Sequence, residues 1–405
     1  MYIDNIKFTN NNKSNILNIL FLINILTPYS SWAYYVQIFS LLLAILFLKG
    51  EFISIDAKTF FIIFAIIISF FFAFFWSKIS IDNYFRFFNL FLLFIFFPIS
   101  KNYSIKPNLL LFILVIIFAS QLVYFFNITP IIDTIEKIYT LDPHQNALGH
   151  GALNELSAKY AFRTGGIYHN PNNCGEYLTL IMVIYILETI NVKNYRNYLF
   201  YFLMAGSIIL TGSRTTAIVI LLIIFYYFLS FKRSNKKLVF YLIIITLTLL
   251  IISNNLRIFN LKYDVNNKSD GSLIIKFEII RNYILHTNLI SLIWGNFNIN
   301  ALGNIGLFKT NGMLFQDNEI GSIIQALGLF GLIALIIFYY NIFKKGNKFS
   351  NLVLILILWS FSNSIFFQFK FSFLYMLILS NYFQFDFRAL LISPQIKELN
   401  SYQNI

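Results

Sequence analysis

The chain predicts an all-α integral membrane protein: a polytopic bundle of about twelve transmembrane helices with two long loops on one face. Three observations predict it. The composition is 58% hydrophobic and only 12% charged, where a soluble domain carries about 25% charged residues. The mean hydropathy is +0.70. Apolar runs recur from end to end, as at 60–76, 109–126 and 216–231, and a helix needs roughly 20 mostly apolar residues to cross hydrocarbon.

Residues 1–14 are polar and rich in Asn. They lack the basic segment, short apolar core and small-residue cleavage site of a signal peptide, so the first span reads as an uncleaved anchor. Spans are expected near 15–29, 32–48, 58–76, 84–99 and 107–127, which make up an N-terminal unit, 1–127. A first long loop, 128–173, follows. The central unit, 174–253, holds spans near 174–191, 197–212, 214–231 and 238–253. A second long loop, 254–318, precedes the C-terminal unit, 319–405, with spans near 319–343, 349–366 and 371–388.

Charge orients the bundle. The net charge is +13. With the N-terminus in the cytoplasm, seventeen of the thirty Lys and Arg residues fall on the cytoplasmic side. Four, Lys78, Arg86, Arg214 and Lys370, fall in short outer connections, and the remaining nine lie in the two long loops. That asymmetry follows the positive-inside rule and puts both termini in the cytoplasm and both long loops outside. The runs Lys232-Arg233-Ser234-Asn235-Lys236-Lys237 and Lys344-Lys345-Gly346-Asn347-Lys348 are then cytoplasmic turns, and no nucleic-acid partner is expected. The phosphate-cradling pattern Gly-x4-Gly-Lys-Ser/Thr is absent from the sequence, which argues against a nucleotide as energy source. The single cysteine, Cys174, excludes a disulfide framework and a thiolate metal site. His144, His150 and His169 match no standard zinc spacing. No metal or cofactor is predicted.

Two stretches carry the chemistry: Arg163-Thr164-Gly165-Gly166-Ile167-Tyr168-His169-Asn170-Pro171-Asn172 and Thr211-Gly212-Ser213-Arg214-Thr215. Each sets an arginine at the mouth of an apolar span, where charge is expensive and marks a working site. Gly165-Gly166 permits a tight turn. Asn170-Pro171-Asn172 reads as a helix start, with Asn172 or Asn173 as the N-cap, and the helix end favours anions. A plain capping role fits the same residues. Glu176 stands one turn further in, where a carboxylate needs a partner; Arg163 or Arg214 would serve, and Glu176 is a candidate general base. In the second loop, Leu273, Phe277, Ile280 and Ile284 form an apolar stripe at helical spacing, opposite Glu278, Arg281, Asn282 and His286. This predicts a helix over 273–286 lying on the membrane surface.

The order of these features continues through Trp294-Gly295, Asp317-Asn318, Gly328 and Gly331-Leu332. From about residue 160 to 335 it resembles the O-antigen polymerase and O-antigen ligase superfamily of bacterial envelope glycosyltransferases. The resemblance implies an inner-membrane enzyme that joins sugar chains carried on polyprenyl diphosphate at the periplasmic face, without nucleotide sugar or metal. Its partners would be lipid-linked glycans and membrane lipids, with a chain-length regulator and a flippase in the same system. Arg163, Arg214 and Arg281 would clamp the diphosphate, since guanidinium forks bind phosphate oxygens bidentately; lipid-headgroup snorkelling is the competing role. Asp317 and Glu176 would handle the proton. Gly166, His169, Asn170, Asn172, Ser213 and Asn318 would contact substrate. Ligase-like relatives commonly show His-Asn where this chain has Asp317-Asn318, so a polymerase is expected ahead of a ligase acting on lipid A core or protein. A non-enzymatic flippase of lipid-linked oligosaccharides is the alternative from another class.

Overall fold

The computed structural model describes residues 2–27, 33–48, 57–76, 81–100, 105–139, 147–148, 163–168, 171–189, 195–230, 280–281, 283–296, 319–345, 355–357, 359 and 369–381. These are almost wholly helical. Helix α1 (Tyr2–Leu26) begins well before the span expected at 15–29 and takes in the polar N-terminal residues, whereas α2 (Ala33–Leu48), α3 (Ala57–Trp76), α4 (Ile81–Ile99) and α5 (Pro107–Phe125) stand at the expected places. Next come α6 (Thr129–Tyr139), the two-residue strands β1 (Ala147–Leu148) and β2 (Arg163–Thr164), and α7 (Pro171–Thr189), α8 (Tyr195–Thr211) and α9 (Arg214–Ser230). A short α10 (Leu289–Trp294), a long α11 (Glu319–Lys345) and α12 (Phe369–Asn381) complete the set. The expected span 238–253 and most of 349–366 lie outside the described residues.

Among the described residues, two segments are long and apolar enough to cross a membrane: Pro107–Phe125, with 19 residues, and Ile320–Ile342, with 23. At about 1.5 Å per residue these measure about 28 and 34 Å, matching a hydrocarbon core of about 30 Å. Of the shorter apolar helices, Thr59–Phe75 packs on the second of these segments, and Tyr84–Ile99 packs on Thr59–Phe75 and on Tyr35–Leu48.

Hydrogen bonds sort the helix ends into two sets. At one end, the Lys106 amide, just before α5, donates to Asn18 Oδ1 of α1 over 3.0 Å. Arg196 of α8 donates to Asn108 Oδ1 of α5 over 2.8 Å, and Tyr185 near the end of α7 donates to Asn197 Oδ1 over 2.8 Å. Ser100, after α4, meets Ser380 of α12 at 2.6 Å. At the other end stand the starts of α2, α4, α7, α9 and α12 and the finish of α5 and α8. That second end carries the buried polar groups described below.

The 128–173 stretch is not all loop, because α6 opens it. Asn127 adopts φ 54°, and the chain reverses through a Schellman motif in which Ile128 N donates to Val123 O (3.0 Å) and Asn127 N to Tyr124 O (3.1 Å). Asparagine tolerates the left-handed region because its short side chain bonds locally. Ile132 of α6 then packs on Tyr124.

Helix α11 is broken. Gly328 has φ 69° and ψ −172°, so Glu319–Lys345 is two helical pieces joined at a kink. Gly295, with φ 81°, lies against the same point, and a Cβ on either glycine would strike backbone atoms of the other segment. The carbonyls near the break are used: Gln325 O accepts from Asn296 N at 3.0 Å, and Leu327 O from Ser69 Oγ of α3 at 3.2 Å. Trp294 stacks on Phe72 of α3, 5.1 Å between ring centres. This close approach accounts for Trp294-Gly295 and Gly328 as one packing device.

Candidate functional site

The site gathers where α5 and α8 end and α7 and α9 begin. Strand β2 is held there by β1, with Leu148 opposite Arg163 and Ala147 opposite Thr164. The chain then turns. Gly165 O accepts from Tyr168 N over 3.1 Å, and Thr164 Oγ1 accepts from Gly166 N over 3.1 Å. Of the Gly165-Gly166 pair, Gly166 takes the left-handed conformation, with φ 61°. A Cβ there would collide with Ser120 Oγ of α5 and press within 3.3 Å of the Gln121 amide nitrogen. The turn therefore lies directly on α5, and only glycine fits without displacement.

Gln121 fastens this turn. Its Nε2 donates toward Thr164 O (3.3 Å), Ser207 O of α8 (3.2 Å) and Cys174 Sγ of α7 (3.5 Å). One amide thus ties the turn to three helices. Gln121 Oε1 and Ser207 Oγ, both buried, have no hydrogen-bond partner among the described residues. Buried polar atoms are normally satisfied, so among the described residues this end retains unused hydrogen-bonding capacity.

Arg163 is 8% exposed and Glu176 3%. Burying either charge is costly unless a partner compensates it. Tyr168 stacks near Tyr177 at 5.1 Å, and burial pushes the Tyr168 hydroxyl well above its ordinary range, keeping it a neutral donor at physiological pH.

The second motif joins the first. Gly175, one residue before Glu176, packs so closely on Thr216 that a Cβ would overlap its side chain. Ser213 is the N-cap of α9: its Oγ accepts from Thr216 N (3.4 Å) and from Thr216 Oγ1 (2.9 Å). Gly212 turns the chain at φ 59°, and Arg214 is the first residue of α9. The ends of the two arginine-bearing stretches are neighbours, although about forty residues separate them in sequence.

Other expected residues fall elsewhere. His169, Asn170, Asp317 and Asn318 lie outside the described residues, as does the side chain of Arg214. Helix α7 begins at Pro171, which places Asn172 and Asn173 in the first turn and not at the N-cap; proline takes the first helical position because its missing N–H would be unbonded there anyway. Asn172 is exposed and Asn173 buried. Arg281 is exposed on a short helical stretch that also holds His286. The expected stripe of that stretch shifts. Ile284 is exposed, and the buried face is Ile280 with Tyr283, packed on Ile324 of α11. An i, i+3 pair replaces the i, i+4 pair because the tyrosine ring supplies more apolar area than isoleucine, with its hydroxyl as a polar tip. Burial raises that hydroxyl to about 12.

Sequence reasoning missed Gln121 and, in the N-terminal helices, Gln37, Arg86 and Asn89, all buried. A signal existed: a lone amide or cation inside an apolar span is costly in lipid and therefore informative.

Among the described residues, fold and site together define a helical protein with two helices of membrane-spanning length and with buried charge at one end of the bundle. The chain matches no known protein family and no curated protein.

Proposed function

We propose that this protein is a multi-pass inner-membrane polymerase that joins polyprenyl-diphosphate-linked oligosaccharide repeats on the periplasmic side. The observation that carries the reading is the inversion of polarity. Phe39, Phe75, Phe112, Phe202 and Ile333 are exposed, while Arg163 and Glu176 are buried at one end. Large outward apolar surface with charge inside is the arrangement a bilayer demands.

In the proposed reaction a non-reducing-end hydroxyl of the incoming repeat attacks the anomeric carbon of the growing donor chain. The bond from that carbon to the diphosphate oxygen breaks, and polyprenyl diphosphate leaves with the electron pair. The hydroxyl proton passes to a carboxylate, Asp317 or Glu176. Arg163 and Arg214, with Arg281 as a third member, bind the leaving diphosphate, where electrostatic stabilisation counts most. The capping and turn residues Ser213 and Gly166 hold the two arginine stretches in register, while His169, Asn170, Asn172 and Asn318 supply sugar contacts. A deletion strain tests this. It should still transfer one repeat to the final acceptor and show no polymer ladder on electrophoresis. A bare acceptor with accumulated lipid-linked polymer favours ligation instead.

The break in α11 at Gly328 favours a second reading, a flippase, because interrupted helices recur in transporters. Purified protein in vesicles with lipid-linked repeats separates the two: longer lipid-linked chains mean polymerase, and translocation without elongation means flippase.

A further inference from the structure

Arg86 was expected in a short outer connection, yet it stands in α4 and is only 6% exposed. Its Nε and Nη1 are buried and have no hydrogen-bond partner among the described residues. One turn on, on the same face of α4, Asn89 Oδ1 accepts from Gln37 Nε2 of α2 over 2.9 Å. The same Nε2 donates to Ser372 Oγ of α12 over 3.0 Å. Gln37 is 1% exposed, and its Oε1 also lacks a partner among the described residues. Among the described residues, two buried guanidinium nitrogens without an acceptor therefore stand one turn of α4 from Asn89, whose partner Gln37 holds a buried acceptor without a donor.

The surroundings favour an anion. The sequences of α2, α3, α4 and α12 contain one carboxylate, Asp82, against Arg86 and the basic positions Lys58 and Lys370. Gln37 and Ser372 sit in the first two turns of α2 and α12, and α4 runs parallel to α12, so positive helix ends point the same way. A guanidinium short of acceptors in a low-dielectric interior is costly; a bound anion removes that cost, and a hydroxyl beside it satisfies Gln37.

We propose that Arg86, Gln37 and Asn89 form a binding site for a phosphate ester that carries a free hydroxyl, the phosphate on Arg86 and the hydroxyl donating to Gln37 Oε1. The site lies between α2, α4 and α12, uses none of the residues of the Arg163 cluster and does not depend on the enzyme reading. A lipid headgroup and a soluble phosphate ester share this chemistry.

The test uses the full-length protein purified in neutral detergent. Phosphatidylglycerol, which has phosphate and hydroxyls, is titrated against phosphatidylcholine, which has phosphate and no hydroxyl, and against glycerol 1-phosphate. Bound ligand is read by native mass spectrometry and thermal unfolding. Phosphatidylglycerol should bind up to about tenfold better than phosphatidylcholine, the scale of the one neutral hydrogen bond to Gln37 that only it can make. Arg86→Met and Gln37→Leu should each erase that preference, and Asp82→Asn should leave it intact. Equal stabilisation by glycerol 1-phosphate assigns the site to a soluble ester; its failure beside phosphatidylglycerol assigns it to lipid. Equal binding of the two lipids overturns the proposal, as does unchanged preference in Arg86→Met. Loss of preference in Asp82→Asn also overturns it, because Arg86 then serves Asp82. Should Arg86→Met not fold, Arg86→Lys, which keeps charge and loses the fork, decides by the same lipid comparison.

Discussion

Replacing Gly166 with alanine separates two costs that the structure superimposes. The first is conformational. At φ 61° an L-residue in the left-handed region costs about 1–2 kcal/mol. The second is steric. The new Cβ would collide with Ser120 Oγ and lie 3.3 Å from the Gln121 amide nitrogen. Ser120 Oγ can rotate away at the loss of its 2.7 Å bond to Ile117 O, but the backbone of α5 cannot, and overpacking of this kind costs about 1–3 kcal/mol. Gly166→Ala should therefore destabilise by about 2–5 kcal/mol in all. Ser120→Ala, by itself nearly silent, should recover about 1 kcal/mol in the double mutant and leave the backbone cost behind. The assay is thermal unfolding of purified single and double mutants in one detergent, with the polymer ladder scored at matched protein level. A neutral Gly166→Ala would refute the left-handed turn. A double mutant no more stable than Gly166→Ala would refute its seat on Ser120.

Three further outcomes are expected. Gln121→Leu removes a donor shared by Thr164 O and Ser207 O; it should cost about 1–3 kcal/mol and shorten the ladder, and unfolding measurements showing full stability would remove Gln121 as the fastening. Arg163→Ala and Arg214→Ala should each abolish chain extension with the protein still inserted, and lysine should rescue poorly because it lacks the bidentate fork; a normal ladder in either alanine mutant excludes that arginine. Cysteines at Ser157 and Ser269 should react with an impermeant reagent in intact spheroplasts, and protection of both would turn the active face inward.

The helical class and the positions of α2 to α5 and α7 to α9 were legible as runs of apolar residues, because a helix in contact with lipid and with neighbours is apolar on all sides; the start of α1 at Tyr2 was not, because its first half is polar. Gly166 and the turn Gly212-Ser213 were legible too: short-range backbone geometry is written in local residue types, and here φ values of 61° and 59° bear it out at the two glycines. Helix α6 was not legible, since its 11 residues are too few and too polar to stand out from a loop. The cap of α7 was misplaced by a residue or two because Pro171 competes with asparagine for the helix start.

What the sequence determined by itself is everything that repeats over one turn of helix or closes within one turn of chain. What only the tertiary structure decided is which of the buried polar groups meet. Nothing along the chain tells that Gln121 reaches Thr164, Cys174 and Ser207, or that Gln37 meets Asn89 and Ser372 across separations of 52 and 335 residues. Apolar packing is non-directional and can be met by many neighbours, so it specifies helices without specifying partners. A hydrogen bond needs its partner within about 3 Å and in line, and that condition is set only once the helices have packed.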